Sequence, residues 1–483
     1  MAEGFCTGGE GVVVDQRDSM RCTALFCLGL GASNAWWLSV TSSPLVWSSS
    51  PLGSGLASLI VHASYLIVQI ACVVAASLRP LSFAHRRTFF ASAALCTAGT
   101  AVLTAAVFFG LPPVCIVVGR VAASCGGALL FLCWMSPFTA LIGRKVPGSV
   151  FLLATVCGTV IWFVTTRVDA VVATVSLLAL PLVSGAAILG IPSSLRTPAT
   201  GEMPARRAAR IPLRTLFPAA FVLGLFAYEL PVGFVTGTAS RATAEASGAA
   251  LFQIYAIYTV VIALVAAADY ALARHERCSN LLHRFVVPII SIGLIALALA
   301  RTQDQVLASA LVLAGTILFE MFVMTSFARI SLSARETPWR IFGFGGAVLQ
   351  AALLASFFLG LFLADAASAW LAAIALGLVF VLILAGSFDI PGKGLMEGSP
   401  EALGAHGGKD AAARCERFAQ VHGLSAREAE VLALIARGRS VQAVADELYV
   451  AHSTVKTHIG HIYEKTGVSN RQDLLKLLDG FNG

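Results

Sequence analysis

The sequence predicts an all-α chain in two unlike parts: a polytopic bundle of twelve apolar helices, followed by a small, charged four-helix domain. Three observations lead there. Of 483 residues, 57% are hydrophobic and only 12% charged, with a mean hydropathy of +0.83. One aqueous core cannot hide that much apolar surface, and a bilayer is the simpler solvent for it. The apolar residues gather into twelve runs of bilayer length. Beyond residue 388 the character changes, and 391–483 hold eleven Lys and Arg against eleven Asp and Glu.

In chain order, residues 1–21 form a polar, acidic tail that lacks the pattern of a cleaved signal peptide. The membrane domain is expected over 22–388. Its first half, 22–191, holds the runs 22–41, 55–77, 88–110, 114–136, 148–166 and 170–191. A proline-rich, basic loop, 192–214, separates it from the second half, 215–388. There the runs are 215–237, 247–271, 285–300, 306–328, 341–363 and 368–388. With the N-terminus inside, eighteen Lys and Arg fall in inner segments, Arg86, Arg87, Arg144 and Lys145 among them. Only Arg167, Arg241 and Arg301 fall outside. That asymmetry fixes the orientation, and an even number of spans returns the C-terminus to the cytoplasm. The expected location is therefore the cell's inner membrane, with both termini cytoplasmic. Residues 389–413 are glycine-rich without apolar periodicity and read as a flexible linker, roughly 25–30 Å end to end.

The last segment, 414–483, carries the clearest local signals. Ser425 followed by Glu428 is a Ser-x-x-Glu capping box, opening a helix with Val431, Leu432 and Ile435 at helical spacing. Arg437-Gly438 closes it as a glycine past a helix end does. A short second helix turns Val444, Ala445 and Leu448 inward. A third runs from about Ser453 to Lys465, with Val455, Ile459 and Ile462 inward and Lys456, Thr457, Gly460 and His461 outward. Leu474, Leu475, Leu477 and Leu478 form an apolar stripe on a fourth. Two short helices joined by a turn, the second with a polar outer face, make a helix-turn-helix suited to a major groove.

In LSAREAEVL, the glycine after the first helix, TVKTH and KTGVSNR, roughly the last 65 residues resemble the DNA-binding module of the LuxR/FixJ/NarL regulators. The resemblance implies binding of double-stranded DNA as a homodimer; the apolar stripe of the last helix makes the dimer contact in relatives, and otherwise closes the small core. It places Lys456 on DNA and Thr454 against the backbone near the helix start. Thr457 and Gly460 occupy the next outward positions, and His461, Lys465 and Arg471 reach phosphates or base edges. Because this segment is neutral overall, affinity must come from the patch Lys456, Lys465 and Arg471 and from two copies acting together. The chain departs from the family at three places. Ala451 stands where relatives often place a capping serine, so Ser453 or His452 must substitute. Gly460 replaces a base-reaching side chain, and Thr466 a core leucine.

Six spans, a basic loop and six more resemble the major facilitator superfamily of transporters. The loop SLRPLSFAHRRT keeps Arg86-Arg87 but lacks that family's Gly and Asp there. The resemblance implies that spans one, four, seven and ten line a central cavity. The polar residues of those spans are Asn34 and Trp36 in the first, Arg120 in the fourth, Glu229 in the seventh and Glu320 in the tenth. A charge at a helix centre costs about 2.5–3.5 kcal/mol on insertion scales, so each is expected to face inward with a partner. Arg120 is expected to pair with Glu229 or Glu320, either as a ligand-sensitive pair or as a purely structural one. His62 reads as a satisfied interior histidine.

Eleven scattered cysteines without C-x-x-C spacing indicate neither a disulfide framework nor a metal site. No catalytic grouping, nucleotide loop or cofactor motif is present, so no enzyme is expected. The sequence thus points to a membrane-embedded one-component transcriptional regulator. The membrane domain would sense a small molecule or partner, and the module would bind operator DNA. The alternative is a secondary transporter with an appended regulatory module.

Overall fold

The computed structural model describes residues 16–42, 53–78, 86–144, 146–192, 212–242, 248–272, 289–293, 295–296, 305–334, 336–363, 408–436, 444–445, 448, 450–468 and 471–479. Among the described residues the only regular structure is helical. The chain divides into two compact units, Met1–Ala208 with Ala219–Phe388, and Ala209–Pro218 with Asp389–Gly483.

The first unit contains α1 (Gln16–Ser42), α2 (Gly53–Leu78), α3 (Arg86–Phe108), α4 (Pro113–Gly143), α5 (Val150–Thr165), α6 (Ala170–Gly190), α7 (Ala219–Ala242), α8 (Gly248–Leu272), α9 (Gln305–Ala334) and α10 (Pro338–Leu363). Among the described residues, eight helices are long and apolar enough to cross a bilayer; α5 and the Phe221–Leu230 part of α7 are shorter apolar stretches. Ten of the twelve expected runs thus appear as helices. The ninth, 285–300, is described only at 289–293 and 295–296. The twelfth, 368–388, lies outside the described residues, as do 389–407 of the linker.

The helix pairings follow a six-plus-six repeat. In the first half α1 packs along α5; in the second, their counterparts six spans on, α7 and α10, pack along each other. The halves meet where α2 lies on α10, and again where α8 lies on α5, which are the same two spans exchanged. This is the contact pattern of two halves related by a two-fold axis. His62 on α2 hydrogen-bonds Gln350 on α10 at 3.1 Å within that seam, so it is a satisfied interior histidine.

Lipid-facing and protein-facing surfaces separate by side chain. Ile67, Phe90, Val118, Val175 and Leu264 point outward, an apolar shell that only hydrocarbon would leave unpenalised. Hydroxyls inside the bundle satisfy themselves on their own helices. Thr100 donates to the Cys96 carbonyl at 2.7 Å and Thr139 to that of Met135 at 2.7 Å. One close seam is α3 on α4. A Cβ on Gly99 would meet the Ala123 backbone nitrogen, one on Gly126 that of Cys96, and one on Gly119 that of Leu103 at 2.6 Å. Small residues here let two backbones touch, the usual device where no hydrophobic effect drives helices together.

The second unit holds α11 (Gly408–Val421), α12 (Ala426–Ala436), α13 (His452–Thr466) and α14 (Arg471–Asp479). Helix α11 begins inside the segment read as linker. Lys409-Asp410-Ala411-Ala412-Ala413 favours helix, a signal hidden by the glycines before it. Phe418, Val431, Leu432, Val455, Ile462 and Leu474 are buried in one small core, with Val444 and Ala445 from the largely undescribed second helix. Of the expected stripe on α14, Leu474 and Leu478 are buried while Leu477 is exposed. Gly438 lies outside the described residues.

Candidate nucleic-acid interface

Helix α13 is set by its two ends. At its C-terminus Gly467 adopts φ +70° and donates to the Tyr463 carbonyl, and Val468 donates to the same oxygen at 3.1 Å. At its N-terminus Ala451 occupies the cap position, and no side chain caps the helix there. Of the two substitutes expected, Ser453 falls inside the helix, which begins two residues too early for it to cap, and the side chain of His452 lies outside the described residues. Gly460 is exposed in mid-helix, and a Cβ there would meet nothing within 4 Å. Both positions are weak points a side chain can strengthen. Ala451→Ser and Gly460→Ala are each expected to stabilise α13 by about 1 kcal/mol. Slower hydrogen exchange of the α13 amides in the full-length chain would register the gain.

The outward face carries Thr454, Lys456, Thr457 and His461, all exposed, while Val455 and Ile462 anchor the opposite face in the core. Thr457 returns its hydroxyl to the Ser453 carbonyl at 3.1 Å. Among the described residues, Lys456 is the one Lys or Arg in the first two turns. Arg471 opens α14, and its side chain lies outside the described residues.

Lys465 is engaged on its own module. Its Nζ donates to Glu428 Oε2 at 2.7 Å and to the Gly423 carbonyl at 3.2 Å. Glu428 also completes the capping box of α12: the Ser425 N–H donates to Oε2 at 2.7 Å, and the Glu428 N–H donates to Ser425 Oγ at 3.3 Å. One carboxylate thus ends one loop and clamps α13 to α12. It is 4% exposed, yet it sits under a thin cover, with His461 and Lys465 over it, rather than deep in the core.

The Lys465 ammonium and the Ser425 N–H hold the Glu428 carboxyl down at about 2, from an ordinary 4.5. A depressed carboxyl contributes stability that is full above its unfolded value and lost as pH falls toward the folded one. The clamp is thus expected to weaken between about pH 4.5 and pH 2 by on the order of 2 kcal/mol, allowing for the half-exposed lysine. Exchange protection of α12 and α13, corrected for intrinsic rate, should fall over that window in the native chain. In Glu428→Gln it should start lower and lack that component.

In the membrane unit the expected polar residues part company. Trp36 is buried and donates its indole N–H to Thr100 Oγ1 at 3.0 Å, fastening α1 to α3. Asn34 lies 3.5 Å from Thr155 Oγ1 across the α1–α5 seam. Arg120 is fully buried in α4, and Glu229 is buried in α7. Glu320 is partly buried in α9, the helix that packs on both α4 and α7. Glu229 lies close enough to Glu320 to feel its charge, and Arg120 stands on α4, which packs against the helix of Glu320. Tyr258 of α8 also lies within the field of Glu320, and Tyr228 stacks on Phe319 at 4.1 Å between ring centres. No pattern in the sequence marks these tyrosines, because the helix packing alone gathers them.

Comparison with known proteins follows the same division. Residues 422–478 match the GerE family, described as bacterial regulatory proteins of the luxR family. A 48-residue segment, 10% of this chain, is 67% identical to a protein named "Probable transcriptional regulatory protein NarL" in two strains of Mycobacterium tuberculosis. The chain spans 22% of the length of those relatives. Among solved structures, 77% of the chain superposes on a bacterial homologue of the iron transporter ferroportin, with TM-score 0.56, 14% identity and all of that chain covered. The major facilitator superfamily transporter FucP superposes with TM-score 0.51 at 16% identity, over 77% of this chain and 99% of its own. The human organic anion transporter MFSD10 gives 0.52 at 14%, over 76% and 98%. At such identities the likeness concerns fold. The chain therefore joins a luxR-type DNA-binding module to a membrane bundle of the major facilitator fold.

Proposed function

We propose that this chain is a membrane-embedded one-component transcriptional regulator. The observation that carries the reading is α13: an apolar face locked into the module's core and a solvent face bearing Thr454, Lys456 and Thr457, on a polypeptide that also builds a lipid-buried bundle. The module binds operator DNA with Lys456 as its principal contact, supported by Thr454, Thr457, His461 and Arg471. Two copies pair through α14, where Leu477 is left exposed. Gly460 marks where the backbone of α13 comes nearest the groove. Lys465 serves the clamp first and phosphate second.

Both termini face the cytoplasm of the inner membrane, in keeping with the distribution of Lys and Arg. The membrane unit senses a small molecule or partner at Glu229 and Glu320, where a ligand that separates or screens two neighbouring carboxylates shifts the balance between two packings. Arg120 stands on α4, which packs against the helix of Glu320, and Asn34 and Trp36 hold the first half together. The transporter-like fold with its buried carboxylates favours a second reading, a secondary transporter carrying an appended regulatory module.

One paired experiment separates the two. Promoter occupancy and transcripts are compared between cells holding the native chain and cells holding Glu229→Gln with Glu320→Gln. Solute uptake is then measured with the purified chain in vesicles. Regulated transcripts that change in the double variant, without measurable uptake, support the regulator. Uptake that requires the glutamates, with transcripts unaffected, supports the transporter.

A further inference from the structure

One cluster brings a side chain with no role so far, His458, together with Glu428 and His461. Carboxylate and imidazole atoms of Glu428, His458 and His461 all lie within 4.8 Å of one another. His458 and His461 stand three residues apart on α13, so both rings leave the same side of the helix. Glu428 faces them from the first turn of α12.

The two oxygens of that carboxylate are used differently. Oε2 accepts from Lys465 Nζ and from the Ser425 N–H, both at 2.7 Å. Oε1 faces His461 Nδ1 at 3.6 Å, too far for a hydrogen bond. In a tetrahedral zinc site with bonds of about 2.0–2.2 Å, neighbouring ligand atoms lie about 3.4 Å apart. The Oε1–Nδ1 spacing is already close to that, and His458 needs only a small swing to join.

We infer that Glu428 Oε1, His458 and His461 form a site for one divalent transition-metal ion of the zinc class, bridging α12 and α13. Three protein ligands leave a fourth position to water, an open coordination shell. Lys465, bonded to the far oxygen, orients the carboxylate as an outer-shell partner does. Its positive charge also opposes the ion, so the site takes up metal reversibly rather than as a permanent structural element. An ion there ties the DNA-facing helix to its neighbour and draws His461 away from the groove face. Metal would thereby bias the module directly. The inference stands apart from the membrane unit's role, because it concerns the module's own residues.

The site escapes a reading by spacing. The two histidines are near in sequence, but the third ligand is thirty positions away, and only the packing of α12 on α13 brings it in.

The test is a cobalt(II) titration of the full-length chain in lipid nanodiscs, followed by its visible ligand-field bands, then displacement by zinc. The expected result is one tetrahedral-type site per chain. It should weaken at least tenfold in His461→Gln and again in His458→Gln, whereas His422→Gln leaves it unchanged. Zinc should also slow amide exchange in α12 and α13 of the native chain but not of His461→Gln. Uptake equal in the native chain and the double-histidine variant overturns the inference. So does the absence of a ligand-field band in a native chain whose module shows normal exchange protection.

Discussion

Replacing Lys456 by alanine is expected to cut operator occupancy by on the order of a hundredfold. A good side-chain contact to a base edge contributes about 1–3 kcal/mol of discrimination, and an operator bound by two copies loses it twice. The loss is large here because little else compensates. Residues 391–483 are charge-balanced, so no diffuse field holds the module on DNA. Lys465, the nearest alternative cation, is committed to Glu428 and to the Gly423 carbonyl. Binding to operator and to unrelated duplex, each across a salt series, shows what Lys456 touches. A base contact predicts loss mainly on the operator. A phosphate contact predicts equal loss on both, with the salt slope reduced by about one per helix. Occupancy unchanged within twofold would remove Lys456 from the interface. Lys465→Met is the informative contrast, since it should lower the stability of α13 more than its intrinsic affinity for phosphate.

How far the sequence carries depends on the range of each interaction. The capping box of Ser425 and Glu428 spans three residues, and both of its hydrogen bonds form as the spacing predicts. The inward positions Val431, Leu432, Val455 and Ile462 are likewise legible, since one amphipathic face decides them. The engagement of Lys465 is not legible, because its partner is thirty-seven residues away, a separation no local pattern encodes. The same limit applies in the membrane. A run of apolar residues announces a span but not its neighbour, so the grouping of Glu229 with Glu320 and the anchoring of Trp36 on Thr100 emerge only from packing. The placing of Ser453 has a different cause. Position alone suggested Ser453 as a substitute, whereas the helix starts at His452 and leaves that serine inside its first turn.

The second large effect lies in the membrane unit: Gly126→Val is expected to prevent the first half from assembling. A Cβ on Gly126 would run into the Cys96 backbone, and Gly99 and Gly119 make equally close approaches along the same α3–α4 seam. A side chain in the way could turn aside, but two helix backbones can only move apart. Separation would then forfeit the packing of the whole seam, so the cost exceeds the usual 1–3 kcal/mol of an overpacked core. In a bilayer, van der Waals contact between helices is itself the main attraction, and no compensating hydrophobic gain follows. Gly224→Ala provides the control, because a Cβ there meets nothing within 4 Å. Size-exclusion profiles of detergent-extracted, fluorescently tagged chains should show a single symmetric peak for the native protein and for Gly224→Ala, and aggregate or no protein for Gly126→Val. A normal profile for Gly126→Val would mean that α3 and α4 are not in backbone contact at that point, and the packing of the first half would need to be redrawn.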